Sequence, residues 1–238
     1  MFPQVESIDA ILSPSGDVIH ANIFGDINCN CRLSGMPDLT LSFTKPSLLD
    51  DVSLHRCVRI NRYTREKVIS FVPPDGSFKL MSYRIPGSVA MPIYIRPQIT
   101  YGPGQGKVYI QVGLKANGDK AVTNVAVLIP LPSCTRAASL TPNIGSVRID
   151  SKTQLARWEI GKLPKDKTPT LEGTITLPLE FKPDAESPTI RGEFVVKMLA
   201  ASGLKVDGLA IRGVTYKPFK GVRSVTQAGK FTIRCNDV

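Results

Sequence analysis

The sequence predicts an all-β protein, because three features of the chain agree. Apolar and polar residues alternate with a period of two, as around Val108, Ile110, Val112 and Leu114, which is typical of a strand with one buried face. Runs rich in Gly, Pro and Asp separate such segments and predict turns. No stretch of three helical turns carries an apolar stripe. Together these features favour a β-sandwich or a barrel.

The strand predictions follow the apolar alternation along the chain. They cover residues 39–43, 67–72, 78–85, 108–114, 122–129, 156–160, 171–177, 190–199 and 231–235. The predicted turns are residues 13–17, 73–76, 101–104, 117–119 and 163–166. Proline spaces out residues 178–188, so this segment is predicted to be an exposed loop or an edge strand.

Length and composition are those of a folded protein. The chain has 238 residues, of which 42% are hydrophobic and 21% charged, enough for one large all-β unit or two small domains. No apolar run has the roughly 18–20 residues needed to cross a bilayer. Residues 1–6 lack the basic and apolar regions of a signal peptide. Five cysteines are few and odd in number, which favours a reducing compartment, and we expect a cytosolic protein.

The net charge of +10 is unevenly spread. Residues 1–50 hold six acids and two bases, whereas residues 199–238 hold seven bases and two acids. These segments could attract each other in the fold, the basic end could face an anionic membrane or nucleic acid, or the bases could be scattered on the surface. Because the 9 Phe, 6 Tyr and 1 Trp are mostly spaced as core residues, nucleic acid is a minor alternative and is not the expected partner.

Four residues suggest a zinc site by their type. Cys29, Cys31, His55 and Cys57 could complete a tetrahedron. One residue between ligands, however, is the spacing of neighbours on one strand face, whereas structural zinc sites use two to four. Cysteine is also commonly buried in a core. We therefore expect these residues to lie in apolar strands, with no metal and no cofactor.

Motifs for catalysis and nucleotide binding are weak. Residues 102–107 resemble a phosphate-binding loop, but the run is one residue short, lacks the Ser or Thr after Lys107 and leads into a strand. A hairpin loop is predicted instead. His20 and His55 are the only histidines, and His55 with Cys57 would point in parallel from one strand. The chain is not expected to be an enzyme.

Several longer runs together resemble the medium (mu) subunits of clathrin-adaptor complexes, in their C-terminal mu-homology domain. They are residues 33–39, 51–59, 69–84, 202–206 and 227–231, and the run Ser-Phe-Val-Pro-Pro-Asp-Gly at 70–76 is highly specific. The similarity covers essentially the whole chain. Among the paralogues, residues 41–43, 45–51 and 216–222 look most like the medium subunit of adaptor complex 3.

The resemblance implies an elongated all-β domain of two immunoglobulin-like sandwiches, one inserted in the other. The outer subdomain would comprise residues 1–93 plus 199–238 and would bind the signal peptide. The insert would comprise residues 94–198. A full-length subunit of this family also carries an N-terminal longin-like domain, so the chain resembles a fragment.

The resemblance also implies a function. Family members bind Tyr-x-x-Φ sorting signals, where Φ is a bulky apolar residue, in cytosolic tails of membrane proteins, with the peptide extended beside an edge strand. That strand would be residues 220–223, beginning at Lys220. Val206, Leu209 and Val222 match positions that line the Φ pocket, and Phe2 matches a further apolar wall.

The tyrosine pocket keeps one family residue and departs from the pattern at three. Arg223 matches a position whose guanidinium stacks on the signal's Tyr ring. Pro3 stands where the family commonly has an Asp that accepts the Tyr hydroxyl. Asn30 replaces a basic residue, and Gly221 stands where some paralogues have Trp. Without an acceptor, a buried phenol hydroxyl costs about 1–3 kcal/mol unless water or Asn30 serves it.

The resemblance further implies a heterotetramer with two large subunits and one small subunit. Its place would be cytoplasmic and peripheral, on Golgi and endosomal vesicle membranes. An alternative remains open, in which the chain is a basic module that binds anionic phosphoinositide membrane, or nucleic acid, with no working peptide site.

Overall fold

The protein is described by a computed structural model that covers residues 1–87, 89–115, 120–182 and 188–235. This part of the chain is almost entirely β-structure, as predicted. Its strands are β1 (Phe2–Leu12), β2 (Val18–Cys31), β3 (Asp38–Phe43), β4 (Asp50–Leu54), β5 (Ile69–Phe71), β6 (Gly76–Pro86), β7 (Ile93–Tyr101), β8 (Gln105–Leu114), β9 (Val122–Pro130), β10 (Ala137–Pro142), β11 (Ser146–Asp150), β12 (Leu155–Gly161), β13 (Thr170–Thr176), β14 (Thr189–Lys197), β15 (Val206–Arg212) and β16 (Val222–Arg234). Helix α1 (Ile60–Glu66) and a 3-10 turn (Pro46–Leu48) complete the elements.

The strands form three sheets. A nine-stranded sheet has the order β11-β12-β9-β14-β16-β1-β2-β6-β4, a four-stranded sheet the order β10-β13-β8-β7, and a three-stranded sheet the order β15-β3-β5. In the smallest sheet, β15 and β5 pair antiparallel to the two sides of β3. β15 is therefore an edge strand.

The chain divides into two compact units. The first unit comprises Met1–Ser7, Asn22–Val89 and Lys197–Thr226, and the second comprises Ile8–Ala21, Ala90–Val196 and Gln227–Val238. Strands β1, β2 and β16 contribute residues to both. The subdomain boundaries implied by the family resemblance remain a prediction.

Each unit has its own apolar core. In the first unit, the rings of Phe2 and Phe78 both meet Phe71 edge-on, with centroids 6.5 and 6.4 Å from it. In the second unit, Trp158 is fully buried and its Nε1 donates to the Ile144 carbonyl at 2.9 Å. Phe2 and Trp158 lie on strands β1 and β12, in which buried residues alternate with more exposed ones, whereas all three residues of β5 around Phe71 are buried.

The predicted strand segments match observed strands, with shifted ends. The run predicted over residues 67–72 shortens to β5, and the final one extends back to Val222 as β16. The hairpin at residues 101–104 is confirmed, because Tyr101 pairs with Gly106 across the turn. The predicted turn at 117–119 and residues 183–187 of the predicted loop at 178–188 lie outside the described residues, while residues 178–182 form no strand.

One prediction about local structure was wrong. His55 and Cys57 do not lie on a strand but in the turn between β4 and α1. The backbone N–H of Cys57 donates to His55 Nδ1 at 3.2 Å, and the His55 ring packs against Phe78 with centroids 4.8 Å apart. The alternation that suggested a strand here was too short to distinguish a strand from a turn.

Candidate functional site

The three aliphatic residues assigned to the Φ pocket all lie half-buried in the first unit. Val206 and Leu209 belong to β15, where they pair with Phe43 and Leu41 of β3. Val222 is the first residue of β16. We call Val206, Leu209 and Val222 the aliphatic half of the candidate site. Half-burial leaves each side chain supported by the sheet and still able to contact a ligand.

Two hydrogen bonds connect the segments that carry these residues. The Lys220 ammonium donates to the Leu209 carbonyl at 2.6 Å. The backbone N–H of Phe2 donates to the Gly221 carbonyl at 2.8 Å. The start of β1, the edge strand β15 and the approach to β16 are thereby held together.

The expected edge strand over residues 220–223 is only partly a strand. β16 begins at Val222, so Lys220 and Gly221 precede it. The Gly221 carbonyl already accepts from Phe2, which uses one backbone group that an added strand would need. The nine-stranded sheet also places β16 between β14 and β1.

Two of the three residues assigned to the tyrosine pocket, Asn30 and Arg223, are more exposed than the aliphatic ones. Asn30, on β2, is exposed, and its backbone N–H donates to the Met1 carbonyl at 2.9 Å. Arg223 is exposed on β16, and Pro3 is half-buried on β1. We call Pro3, Asn30 and Arg223 the tyrosine half. Neither Pro3 nor Arg223 has a side chain that can accept a hydrogen bond from a phenol, and Asn30 can do so through its amide oxygen.

A groove of about 550 Å³ opens beside these residues, and three of the nine predicted site residues line it. They are Phe2, Asn30 and Lys220, whereas Pro3, Val206, Leu209, Gly221, Val222 and Arg223 lie outside its lining. The rest of its wall includes the apolar residues Leu33, Leu39 and Ile211 and the aromatic residues Tyr216 and Phe219. The charged side chains that line it are Arg32, Lys217 and Lys220, so the groove is positive.

The segment from Tyr216 to Lys220 forms one wall of this groove and carries an exposed ring. Phe219 is 83% exposed, which is unusual for a large apolar side chain. The Tyr216 hydroxyl accepts from the backbone N–H of Ser34 at 3.1 Å and fixes the segment at its start. The Lys220 contact with Leu209 fixes its end.

A buried polar network of Glu6, Gln4 and Tyr83 fixes the segment that precedes β15. Glu6 is fully buried and accepts from the Tyr83 hydroxyl at 2.8 Å, from Ser202 Oγ at 2.5 Å and from Ser202 N at 3.0 Å. Gln4 Nε2 donates to the Leu204 carbonyl at 3.3 Å and to the Tyr83 hydroxyl at 2.9 Å. Because Ser202 and Leu204 directly precede β15, the network ties that strand to β1 and β6.

The position of Tyr83 in this network accounts for the glycine at position 25 and for the raised pKa of Tyr83. The ring of Tyr83 lies against Gly25, where any side chain would collide with it. Burial, with Glu6 beside it, raises the pKa of Tyr83 well above its usual range, so the hydroxyl stays a hydrogen-bond donor.

The four residues weighed as zinc ligands are not arranged as a metal site. Cys29 and Cys31 are buried on β2, and both line the groove. Burial raises the pKa of the Cys29 thiol to about 12, which keeps it protonated and a poor ligand or nucleophile. Among the described residues, no cluster of three or more His, Cys, Asp or Glu has an arrangement that could hold a metal ion. Nor does that part of the chain contain a helix long and apolar enough to span a membrane.

The fold is that of a mu-homology domain. The structure superimposes on the yeast delta-COP-I mu-homology domain with a TM-score of 0.71 and 15% identity, covering 98% of this chain and 97% of the other. It also superimposes on the zebrafish (Danio rerio) Fcho1 mu-homology domain, solved with a bound Eps15 peptide, with a TM-score of 0.70 and 15% identity over 99% and 96% of the two chains.

Sequence comparison narrows this class to one family. Residues 3–235 match the model of the adaptor complexes medium subunit family, and the chain belongs to that family. It is 44% identical over 239 residues to the AP-3 complex subunit mu of Dictyostelium discoideum, and 43% identical over 237 residues to the human AP-3 complex subunit mu-1. Each alignment covers 98% of this chain but only 56% and 57% of those relatives. The family resemblance inferred from the sequence is confirmed, and with it the expectation of a non-enzymatic adaptor component.

Sequence reasoning missed most of the groove wall, including the aliphatic residues Leu33, Leu39 and Ile211 and the aromatic residues Tyr216 and Phe219. Tyr216 and Phe219 belong to a run that was noted only because it resembles the family. The exposure of Phe219 is the one unusual feature among them, and it depends on tertiary structure.

Proposed function

We propose that this chain recognises Tyr-x-x-Φ sorting signals in the cytosolic tails of membrane proteins. It would do so as the cargo-binding part of a medium subunit in an AP-3-type adaptor complex. In that complex it would assemble with two large subunits and one small subunit and act in the cytoplasm, on Golgi and endosomal vesicle membranes.

The observation that carries this proposal is the convergence of three separate segments. The backbone N–H of Phe2 donates to the Gly221 carbonyl and the Lys220 ammonium donates to the Leu209 carbonyl, so three segments far apart in sequence are held next to one another. The side chains of the aliphatic half are apolar and half-buried on β15 and β16. This combination suits a short extended peptide whose Φ side chain needs an apolar pocket.

The expected affinity is modest. A short peptide with two anchors loses conformational freedom on binding, and micromolar affinity, about −7 to −8 kcal/mol, is reasonable for such a ligand. Most of that free energy would come from burial of Φ and of the Tyr ring.

The direct test is calorimetric titration with a Tyr-x-x-Φ peptide and with matched peptides in which Tyr or Φ is replaced by Ala. Saturable micromolar binding that is lost with the Φ→Ala peptide and weakened with the Tyr→Ala peptide supports the proposal. Equal binding of all three peptides would overturn it, because neither pocket would then be reading its side chain.

Ionic strength separates this function from a purely electrostatic one. Peptide binding through apolar pockets and backbone hydrogen bonds should change little with added salt, whereas binding of phosphate groups to a basic surface falls steeply. A steep salt dependence of peptide affinity would favour a basic interaction module without a working peptide site.

A further inference from the structure

The side chain of Lys220, a residue of the proposed peptide site, is bonded to the chain itself. Its ammonium donates to the Leu209 carbonyl at 2.6 Å. Lys220 is exposed, whereas Leu209 is half-buried on β15. A hydrogen bond from a charged donor is stronger than one between neutral groups. The Lys220 side chain therefore has a defined position in the free protein, although solvent surrounds it.

The carbonyl that Lys220 contacts belongs to an edge strand. In the sheet order β15-β3-β5, as far as the structure describes the chain, β15 has a strand on one side only, where Leu209 lies opposite Leu41 of β3. Open strand edges offer backbone groups to any extended chain, and proteins commonly protect such edges with lysine. The contact between Lys220 and Leu209 fits this pattern of protection.

The start of β16 also has an open side. β14 and β16 are neighbours in the nine-stranded sheet, and their end bonds, from Met198 N to the Ser224 carbonyl and from Cys235 N to the Pro188 carbonyl, show that they run antiparallel. Met198 directly follows β14. The first two residues of β16 therefore lie past the end of β14. The Lys220 side chain spans the gap between this stretch and β15.

A signal peptide in the proposed site has to cross that gap. Its Φ side chain would meet Leu209 and Val222, and its Tyr ring would meet Arg223. The side chain of Lys220 starts two residues before Val222 and ends at the Leu209 carbonyl, so it occupies the space between these positions. The backbone of an extended peptide would therefore compete with Lys220, both for this space and for the carbonyl.

We propose that Lys220 is a latch, which closes the gap between β15 and the start of β16 in the free protein and releases the Leu209 carbonyl when a sorting signal binds. This inference rests on the proposed peptide function. The latch lowers the apparent affinity of every extended peptide. A peptide with both anchors, Tyr and Φ, gains enough free energy to open it, whereas other extended chains are kept out. Lys220 is thereby a specificity-determining residue.

A purely supporting role of the contact would have the opposite consequence. If the bond only held the segment before β16 in the shape that a peptide needs, its loss would weaken binding. That segment has other fixed points, because the Tyr216 hydroxyl accepts from the Ser34 N–H and the Gly221 carbonyl accepts from the Phe2 N–H. We expect its path to persist without the ammonium contact. The direction of the affinity change therefore distinguishes the two roles.

The test is calorimetric titration of Lys220→Met with the Tyr-x-x-Φ peptide. Methionine keeps most of the length and the apolar character of the lysine stem but has no ammonium, so the contact with Leu209 is lost. A hydrogen bond of this kind holds the apparent affinity down about threefold to tenfold, and the variant should bind the peptide more tightly by that factor. Lys220→Arg keeps a charged donor and should lose most of this gain.

Lys45→Met is the matched control, because it makes the same chemical change at an exposed lysine of the first unit that does not line the groove. Its affinity for the peptide should stay within about twofold of that of the unchanged protein, as expected for a screened charge at a distance. The Tyr→Ala peptide should gain a similar factor from Lys220→Met, since the latch opposes the peptide backbone. All three variants should unfold at the urea concentration of the unchanged protein.

The outcomes that contradict the latch differ from those that contradict the peptide site. Unchanged or weaker binding by Lys220→Met, with binding intact in the unchanged protein, would overturn the latch and leave the proposed function standing. Equal gains in Lys220→Met and Lys45→Met would overturn it as well, because the loss of positive charge alone would then be responsible. Failure of every peptide to bind either the unchanged protein or Lys220→Met would overturn the proposed function, and the latch with it.

Discussion

The two halves of the candidate site differ in how the fold supports them. Val206 and Leu209 lie on β15, which is paired to β3 and preceded by a loop fixed to Glu6 and Gln4. Arg223 is exposed on β16, and Pro3 offers no polar side chain. The fold thus fixes the position of the aliphatic half without a ligand. In the tyrosine half, contact with the signal's Tyr ring would depend on Arg223, whose side chain is exposed. We infer that the Φ side chain of the signal contributes more to the affinity for the peptide than its Tyr side chain does.

The largest expected effect concerns the network behind the aliphatic half. Glu6→Gln replaces one carboxylate oxygen with an amide nitrogen that is itself a donor, so either the Ser202 N–H, or the Tyr83 and Ser202 hydroxyls together, lose their acceptor. We expect the free energy of unfolding to fall by about 2–4 kcal/mol. Urea unfolding measures this loss.

Glu66→Gln is the matched control for that variant. It removes a carboxylate that pairs with Arg62 on the exposed face of α1, and exposed helix pairs contribute about 0.3–0.5 kcal/mol. Equal effects of the two substitutions would show that the Glu6 network does not stabilise the first unit.

The second prediction breaks the aliphatic half itself. Leu209→Ser should remove most of an apolar contact with Φ and cost about 1.5–3 kcal/mol of binding, enough to bring a micromolar peptide close to the detection limit. Calorimetry with the Tyr-x-x-Φ peptide measures it.

Ile149→Ser is the control for the substitution at Leu209, because Ile149 is an aliphatic residue of an edge strand, β11, and is 42% exposed in the second unit. It should leave the affinity unchanged. If Leu209→Ser binds the peptide as tightly as Ile149→Ser does, the aliphatic half is not the Φ pocket.

Much of this fold was predictable because its strands are half-buried. Val108, Ile110 and Val112 show the period of two because β8 has one buried face. β11 was missed because almost all of its residues are exposed and no alternation is imposed on them. α1 was missed because two turns with one buried residue, Tyr63, give no helical periodicity.

The candidate site also contains some residues that the sequence could suggest and others that only the tertiary structure reveals. Val206, Leu209 and Val222 were assigned through the family resemblance alone, and this assignment remains a prediction. The contact between Lys220 and the Leu209 carbonyl could not be predicted, because it joins the segment before β16 to β15 through a side chain whose direction depends on the fold. Ile211 and Phe219 were missed for the same reason: their part in the groove depends on the path of the segment after β15.

The third prediction concerns Arg223, the residue of the tyrosine half that is expected to stack on the signal's Tyr ring. Arg223→Ala should weaken the peptide by about 0.5–2 kcal/mol, the range expected when a stacked guanidinium is lost. Arg223→Lys should recover only part of this loss, since a point charge cannot stack as a planar group does. Arg191→Ala, an exposed arginine of the second unit, serves as the control. Full recovery by lysine would mean that Arg223 acts by charge alone.

The smallest expected effect tests whether this chain reads the tyrosine hydroxyl at all. The family resemblance implies that Pro3 stands in place of a carboxylate that would accept that hydroxyl. Asn30 is exposed, so its amide would have to give up solvent to accept the hydroxyl. A Phe-x-x-Φ peptide should therefore bind the unmutated protein within about threefold of the Tyr peptide, a difference below about 0.7 kcal/mol. Titration of both peptides under the same conditions measures the ratio. Pro3→Asp should then create a preference for Tyr by restoring an acceptor on β1. If the unmutated protein instead binds the Phe peptide more than tenfold more weakly, an acceptor already serves the hydroxyl, with Asn30 the first residue to test by Asn30→Ala.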